Sequence, residues 1–154
     1  MNAARPKAPK LVAFPLAVWE RDGLKAALRH AELPTEDVEQ DGCLFWRFTT
    51  INDTPAGFGG LEIYGADALL RSVVTLPPLR GRGVGRAIVA ALEAEAEMHG
   101  CRAVYLLTRT ETEFFAKLGY TACARKKVPA AVCASAQFSS LCPASAAVMV
   151  KRIG

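Results

Sequence analysis

The chain has 154 residues, 51% of them hydrophobic and 22% charged, and 19 Lys and Arg against 15 Asp and Glu give a net charge of +4. That length fits one domain able to bury a core without covalent staples, and the apolar content excludes a disordered chain. The five cysteines are odd in number and lack CxxC or Cys/His zinc spacing, so no disulfide scaffold and no metal are expected, and free thiols fit a cytoplasmic location.

Residues 1–9 are basic and Pro-containing and read as a flexible N-terminal arm, which leaves 10–154 as a single domain. Leu11–Phe14 reads as a strand. The apolar run to Trp19 is broken by Pro15 and followed by Glu20-Arg21-Asp22, which does not fit a signal peptide. Leu24, Ala27, Leu28 and Ala31 recur at helical spacing, with Asp22 as cap and Leu33-Pro34 as stop. Thr35–Val38 reads as the start of a second short helix. Leu44–Ile51, Ala56–Tyr64 and Ala68–Leu76 then alternate as strands between short turns, an antiparallel meander.

A helix follows, with Val84, Ala87, Ile88, Ala91 and Leu92 on its apolar face, Glu93, Glu95 and Glu97 on its exposed side, and Gly100 as its stop. Ala103–Thr108 reads as a buried strand, Glu111–Leu118 as a helix, Gly119-Tyr120 as the start of another strand, and Ala146–Arg152 as the last. Between them the charge-free stretch 128–150 is too polar to span a bilayer, given Ser135, Gln137, Ser139, Ser140, Pro143 and Ser145. The fold class is α+β. Trp19 and Trp46 read as packing residues, and Cys133 and Cys142 as buried small hydrophobes.

The segment Arg80-Gly81-Arg82-Gly83-Val84-Gly85-Arg86 joins a strand to a capable helix. Its glycines let backbone N–H groups converge at a helix N-terminus, an anion site that suits a pyrophosphate. It lacks the Gly-Lys-Ser/Thr of a Walker loop. The third glycine of a dinucleotide fingerprint is also missing, because Arg86 or Ile88 stands there. The mild charge, the Glu-rich helix and the lack of stacking aromatics speak against nucleic acid.

The spacing Arg80-x-x-Gly83-x-Gly85 after an antiparallel strand resembles motif A of the GNAT superfamily of N-acetyltransferases, and Phe114–Tyr120 resembles that family's second segment. The resemblance covers roughly residues 11–152. Within the family, Gly60–Gly65, Tyr105–Thr108 and Phe138–Ala146 look like the ArsN-type acetyltransferases of arsenic-resistance operons. Leu106–Tyr120 and the last strand also resemble the acetyltransferase domain of N-acetylglutamate synthases.

The resemblance implies a GNAT fold, with a mixed, mostly antiparallel sheet flanked by helices and a coenzyme A pyrophosphate loop between strand 4 and helix 3. It implies acetyl-CoA as cosubstrate, held by Val73, Val74 and Thr75 through their backbone and by Arg80, Gly81, Arg82, Gly83, Val84, Gly85 and Arg86. It implies a small amino-acid-like acceptor such as glutamate, phosphinothricin or arsinothricin. Glu62 is the candidate general base, directly or through a water. Arg47, Arg71, Thr108 and Arg109 are the candidate acceptor contacts, with Arg71 placed on the face of Val73 and Thr75 by period-two counting. Phe115 stands where the family usually carries a Tyr general acid, so the thiolate must leave without that donor. A protein N-terminus or lysine as acceptor, a non-catalytic acyl-CoA sensor, and a homodimer stay open as alternatives.

Overall fold

The structure, a computed structural model, describes residues 9–40, 42–141 and 145–154. The expected arm therefore lies, except for Pro9, outside the described residues, as do Cys142, Pro143 and Ala144. Seven strands form one sheet: β1 (Leu11–Pro15), β2 (Cys43–Thr50), β3 (Pro55–Tyr64), β4 (Asp67–Thr75), β5 (Ala103–Thr108), β6 (Thr121–Ala122) and β7 (Ala147–Arg152). Their order is β1-β2-β3-β4-β5-β7-β6. Only β4 and β5 run parallel, as a strand–helix–strand crossover requires. The helices are α1 (Asp22–His30), α2 (Val84–Met98), α3 (Thr112–Lys117) and the short α4 (Ala130–Cys133).

The sheet buries both faces. On one, Val84, Ile88, Val89, Leu92 and Ala96 of α2 pack on Trp46, Phe48, Leu61, Leu70, Val104 and Leu106. On the other, Leu24 and Leu28 of α1, with Val38, cover Phe45, Phe58 and Val74. Further along that face, Val128 and Val132 cover Leu69, Tyr105 and Val148. Each such aliphatic side chain contributes about 1.5–3 kcal/mol when fully buried. α2 lies close over β3 because that strand is glycine-rich: a Cβ at Gly59 would come within 2.5 Å of Leu92 Cδ1.

Several expectations change. Thr35–Val38 is a run of turns, so the glycine loop precedes the second helix and not the third. The buried Arg21 holds this segment in place, donating from Nη1 to the Val38 carbonyl (2.6 Å) and from Nη2 to the Cys43 carbonyl (3.3 Å). Arg21 also holds the cap position of α1, with Asp22 the first helical residue. Glu93 is half-buried and accepts hydrogen bonds from Tyr120 Oη (2.8 Å) and Lys151 Nζ (3.1 Å). Trp46 is buried as expected, whereas Trp19 is 86% exposed. Cys133 is half-buried, and Cys43, Cys101, Cys123 and Cys133 are free thiols.

Two irregularities of β4 shape everything that follows. Its pairing with β5 covers Asp67↔Ala103, Ala68↔Val104 and Leu69↔Tyr105 and then stops. β5 runs on to Thr108, paired with β7, so the two parallel strands part and leave a cleft. Secondly, Gly60 pairs with Arg71 but Phe58 with Val74, so Ser72 and Val73 together oppose Gly59. This is a β-bulge, with Ser72 at φ 59°.

Candidate functional site

The cleft between the parted strands has a volume of about 910 Å³, large enough for a sizeable ligand. Its walls are β4 from Leu69 to Thr75, the loop 80–86 with the first turn of α2, and Leu106–Glu111 with Phe114 and Phe115. His30–Pro34, Gln137 and Ala146 complete its lining.

The loop is built as its sequence predicts. Gly83 occupies the cap position of α2 in a left-handed conformation, φ 79°, that no side chain adopts without strain. No side chain caps the helix, so its leading N–H groups stay open to an anion. Gly85 sits where a Cβ would press to 3.3 Å from Phe114 and 3.4 Å from Thr75 Oγ1. Arg80 and Arg86 line the cleft with Gly81, Gly83, Val84 and Gly85, whereas Arg82 does not reach its wall. Val84 points its side chain into the core. Val73, Val74 and Thr75 form the opposite wall, with the strand edge freed by the departure of β5.

The acceptor-side residues fare differently. Thr108 and Arg109 line the cleft. Thr108 Oγ1 accepts the Glu111 N–H at 3.0 Å, leaving its own proton to donate. Arg109 is exposed. Arg47 is not brought to the cleft: it lies on β2, two strands from β4, stacked on Phe14 with 4.4 Å from guanidinium carbon to ring centroid.

Arg71 lines the cleft, yet it is only 4% exposed. Both its Nη atoms bond the Asp37 carboxylate, Nη2 to Oδ1 at 2.6 Å. Nη1 also donates to Glu62 Oε2 at 3.0 Å, and Nε to Ser72 Oγ at 3.1 Å. Period-two counting fails here because the bulge adds a residue. Arg71 shares its face with Val74, in the α1 layer, while Val73 packs in the α2 layer and Thr75 faces Gly85.

Glu62 is likewise buried and does not line the cleft. Its carboxylate accepts from Tyr64 Oη as well as from Arg71. The register that pairs Glu62 with Cys43 and Leu69 turns it toward Asp37 and Arg71. Asp37, Cys43 and Glu62 bring ligand atoms within 4.8 Å of one another, but the Arg71 guanidinium bonds all three. A cation is already supplied there.

Electrostatics follow this packing. Burial pushes the Cys43 thiol up to about 11, and the nearby Glu62 charge adds to the shift. Burial and the hydrogen bond to Glu62 raise Tyr64. For Arg71, burial alone favours the neutral form, but the hydrogen bond and charge of Asp37 outweigh it and hold the guanidinium above its usual range. Burial and Glu93 raise Tyr120, which therefore stays protonated. Phe115 stands in the cleft wall and packs edge-on against Phe114 and Tyr120.

Sequence reasoning missed Asp37, His30, Glu32 and Gln137. Asp37 had no visible signal, because its partner Arg71 lies 34 positions away in the chain.

The model of the Acetyltransferase (GNAT) family matches residues 11–120. Over 52 residues the chain is 46% identical to N-alpha-acetyltransferase 80 of Mus musculus, a match covering 34% of this chain and 17% of that protein. N-acetylglutamate synthase from Neisseria gonorrhoeae, complexed with coenzyme A and N-acetyl-glutamate, superimposes with a TM-score of 0.78 at 14% identity. That superposition covers 96% of this chain and 36% of the synthase. Rv2747 from Mycobacterium tuberculosis, in complex with CoA and NLQ, gives 0.73 at 24% identity, covering 93% of this chain and 99% of that one. The chain thus spans about a third of the synthase and a smaller part of the mouse protein.

Proposed function

The chain belongs to the Acetyltransferase (GNAT) family, and from that premise we propose that it transfers the acetyl group of acetyl-CoA to the α-amino group of a small amino-acid-like acceptor. The single observation that carries this reading is the cleft where β4 parts from β5, with a left-handed glycine cap and two arginines at one end. In this reading the loop N–H groups, Arg80 and Arg86 hold the pyrophosphate. The pantetheine arm runs along the backbone of Val73, Val74 and Thr75. The thioester then lies between the bulge of β4 and Thr108. Coenzyme A bound to two solved neighbours supports this placement.

The reaction adds the acceptor nitrogen to the thioester carbon, and a backbone N–H of the bulge takes the developing oxyanion. Such a donor is worth roughly 3 kcal/mol. Collapse breaks the C–S bond, and the amine proton passes to water. No buried base is required, because an α-amino group with a pKa near ~8 is in part neutral at physiological pH. With Phe115 in place of an acid, the thiolate leaves unprotonated and takes its proton from solvent, as a thiol of pKa ~8.5 allows. Arg109 and Gln137 line the cleft; a guanidinium there suits a carboxylate, phosphinate or arsinate. The ArsN-type assignment and its arsinothricin-like substrates are the finer form of this proposal.

A protein N-terminus is the second reading, favoured by the segment shared with N-alpha-acetyltransferase 80. The test is calorimetric titration of acetyl-CoA into wild-type protein and an Arg80→Gln/Arg86→Gln variant. Binding that weakens at least tenfold in the variant supports the site, about 1.4 kcal/mol; equal binding overturns it.

A further inference from the structure

We propose that Asp37, Arg71 and Ser72 form a buried clamp that fixes the β4 bulge and thereby aims its free N–H at the acetyl carbonyl. This deepens the acetyl-transfer reading and rests on it. Ser72 carries a side chain at φ 59°, a left-handed conformation that is disfavoured for an ordinary residue and persists only where its surroundings enforce it. Two neighbouring side chains, Arg71 and Asp37, supply that enforcement. Ser72 Oγ accepts from Arg71 Nε at 3.1 Å, on the same guanidinium whose other edge is held by both oxygens of Asp37.

The clamp is anchored from outside the sheet. Asp37 sits on the turns between α1 and β2, and Arg21 pins those turns through the carbonyls of Val38 and Cys43. The Phe45 ring supports both guanidinium groups, Arg21 at 5.0 Å and Arg71 at 5.2 Å from its centroid. Two arginines and two carboxylates, Asp37 and Glu62, leave the cluster neutral overall. Arg21, Asp37 and Glu62 do not line the cleft, and Arg71, which does, is engaged by Asp37, Glu62 and Ser72. They are positioning residues acting through the bulge, and Glu62 belongs to this frame and not to proton transfer.

Asp37→Asn and Ser72→Ala test the clamp, Ser72→Ala removing a single oxygen and therefore folding even if Asp37→Asn does not. The readout is the isotope-edited infrared carbonyl stretch of bound 13C-acetyl-CoA, alongside steady-state kinetics. Wild-type protein is expected to lower the carbonyl frequency, as a hydrogen bond does, and both variants to return it toward the free value. Their kcat should fall roughly tenfold or more, while KM for acetyl-CoA stays within about twofold because the pyrophosphate loop is untouched. Asp37→Glu should recover part of the shift. A lowered frequency that persists in both variants overturns the clamp alone. A wild-type protein that binds no acetyl-CoA, or binds it without a shift, overturns the acetyl-transfer reading and the clamp with it.

Discussion

Replacing Gly57 with Ala should be among the costliest single-methyl changes in this chain. A Cβ built at Gly57 falls 2.1 Å from the Val74 carbonyl oxygen and 2.8 Å from Ile88 Cδ1. Carbon and carbonyl oxygen settle at roughly 3.3 Å or more, so β4 must retreat by about 1 Å where Gly57 pairs with Thr75. Overpacking of this kind costs about 1–3 kcal/mol. Two ladder hydrogen bonds weakened at about 1 kcal/mol each bring the sum to about 3–5 kcal/mol. For a domain of this size that lowers Tm by roughly 10–15 °C. Gly59→Ala is the matched control: its nearest neighbours are side-chain carbons of α2, Leu92 Cδ1 at 2.5 Å and Ile88 Cγ2 at 3.0 Å, and the Leu92 end can rotate away, so about 1–2 kcal/mol is expected. The assay is thermal denaturation with and without acetyl-CoA. Because the Val74 wall moves, Gly57→Ala should also lose most of the stabilisation the ligand gives. A Gly57→Ala protein as stable as Gly59→Ala would refute this account of the β3–β4 contact.

Other outcomes follow from the same structure. Gly83→Ala should raise KM for acetyl-CoA severalfold with little change in kcat, since the left-handed cap of α2 disfavours a side chain by about 1 kcal/mol; initial-rate kinetics check it. Tyr120→Phe should lower stability by about 1–2 kcal/mol through the lost bond to Glu93 and leave the pH–rate profile unmoved, which a proton-donating Tyr120 could not do. Cys43, raised from 9.0 to about 11, binds its proton more tightly folded than unfolded. Its contribution is therefore whole below pH 9, is lost as pH climbs from 9 to 11, and amounts in full to roughly 3 kcal/mol. Urea melts at pH 8 and pH 10.5 should show a steeper loss for wild type than for Cys43→Ala.

Much of the fold could be read from the chain because its signals are local. The strand alternation of 44–76, the apolar stripe of α2 and the glycines at 81, 83 and 85 each reflect short-range chemistry, and the elements lie within a residue or two of expectation. What failed was non-local. The bulge at Ser72 has no sequence mark, since it depends on contacts from Asp37, 34 positions from Arg71 in the chain. It reverses the alternation that put Arg71 beside Val73 and Thr75. Glu62 lies on the strand expected of it, but its bond to the buried Arg71 is a tertiary contact that the local pattern does not mark. Thr35–Val38 resembled a helix start, and the Arg21 bonds that hold it as turns are tertiary. Arg47 illustrates that a cation on the correct sheet can still lie two strands from the cleft.

The central claim is acetyl transfer to an α-amino group, and mass spectrometry tests it most directly. Purified protein and acetyl-CoA would be incubated with glutamate, glutamine, methionine, phosphinothricin, arsinothricin and peptides bearing free N-termini. The expected result is a product heavier by one acetyl group on the α-nitrogen of one small amino-acid-like compound, with free coenzyme A released in equal amount. Acetylation of peptide N-termini alone would favour the second reading. Firm acetyl-CoA binding with no acetylated amine in any tube would contradict the claim and leave an acyl-CoA sensor in its place.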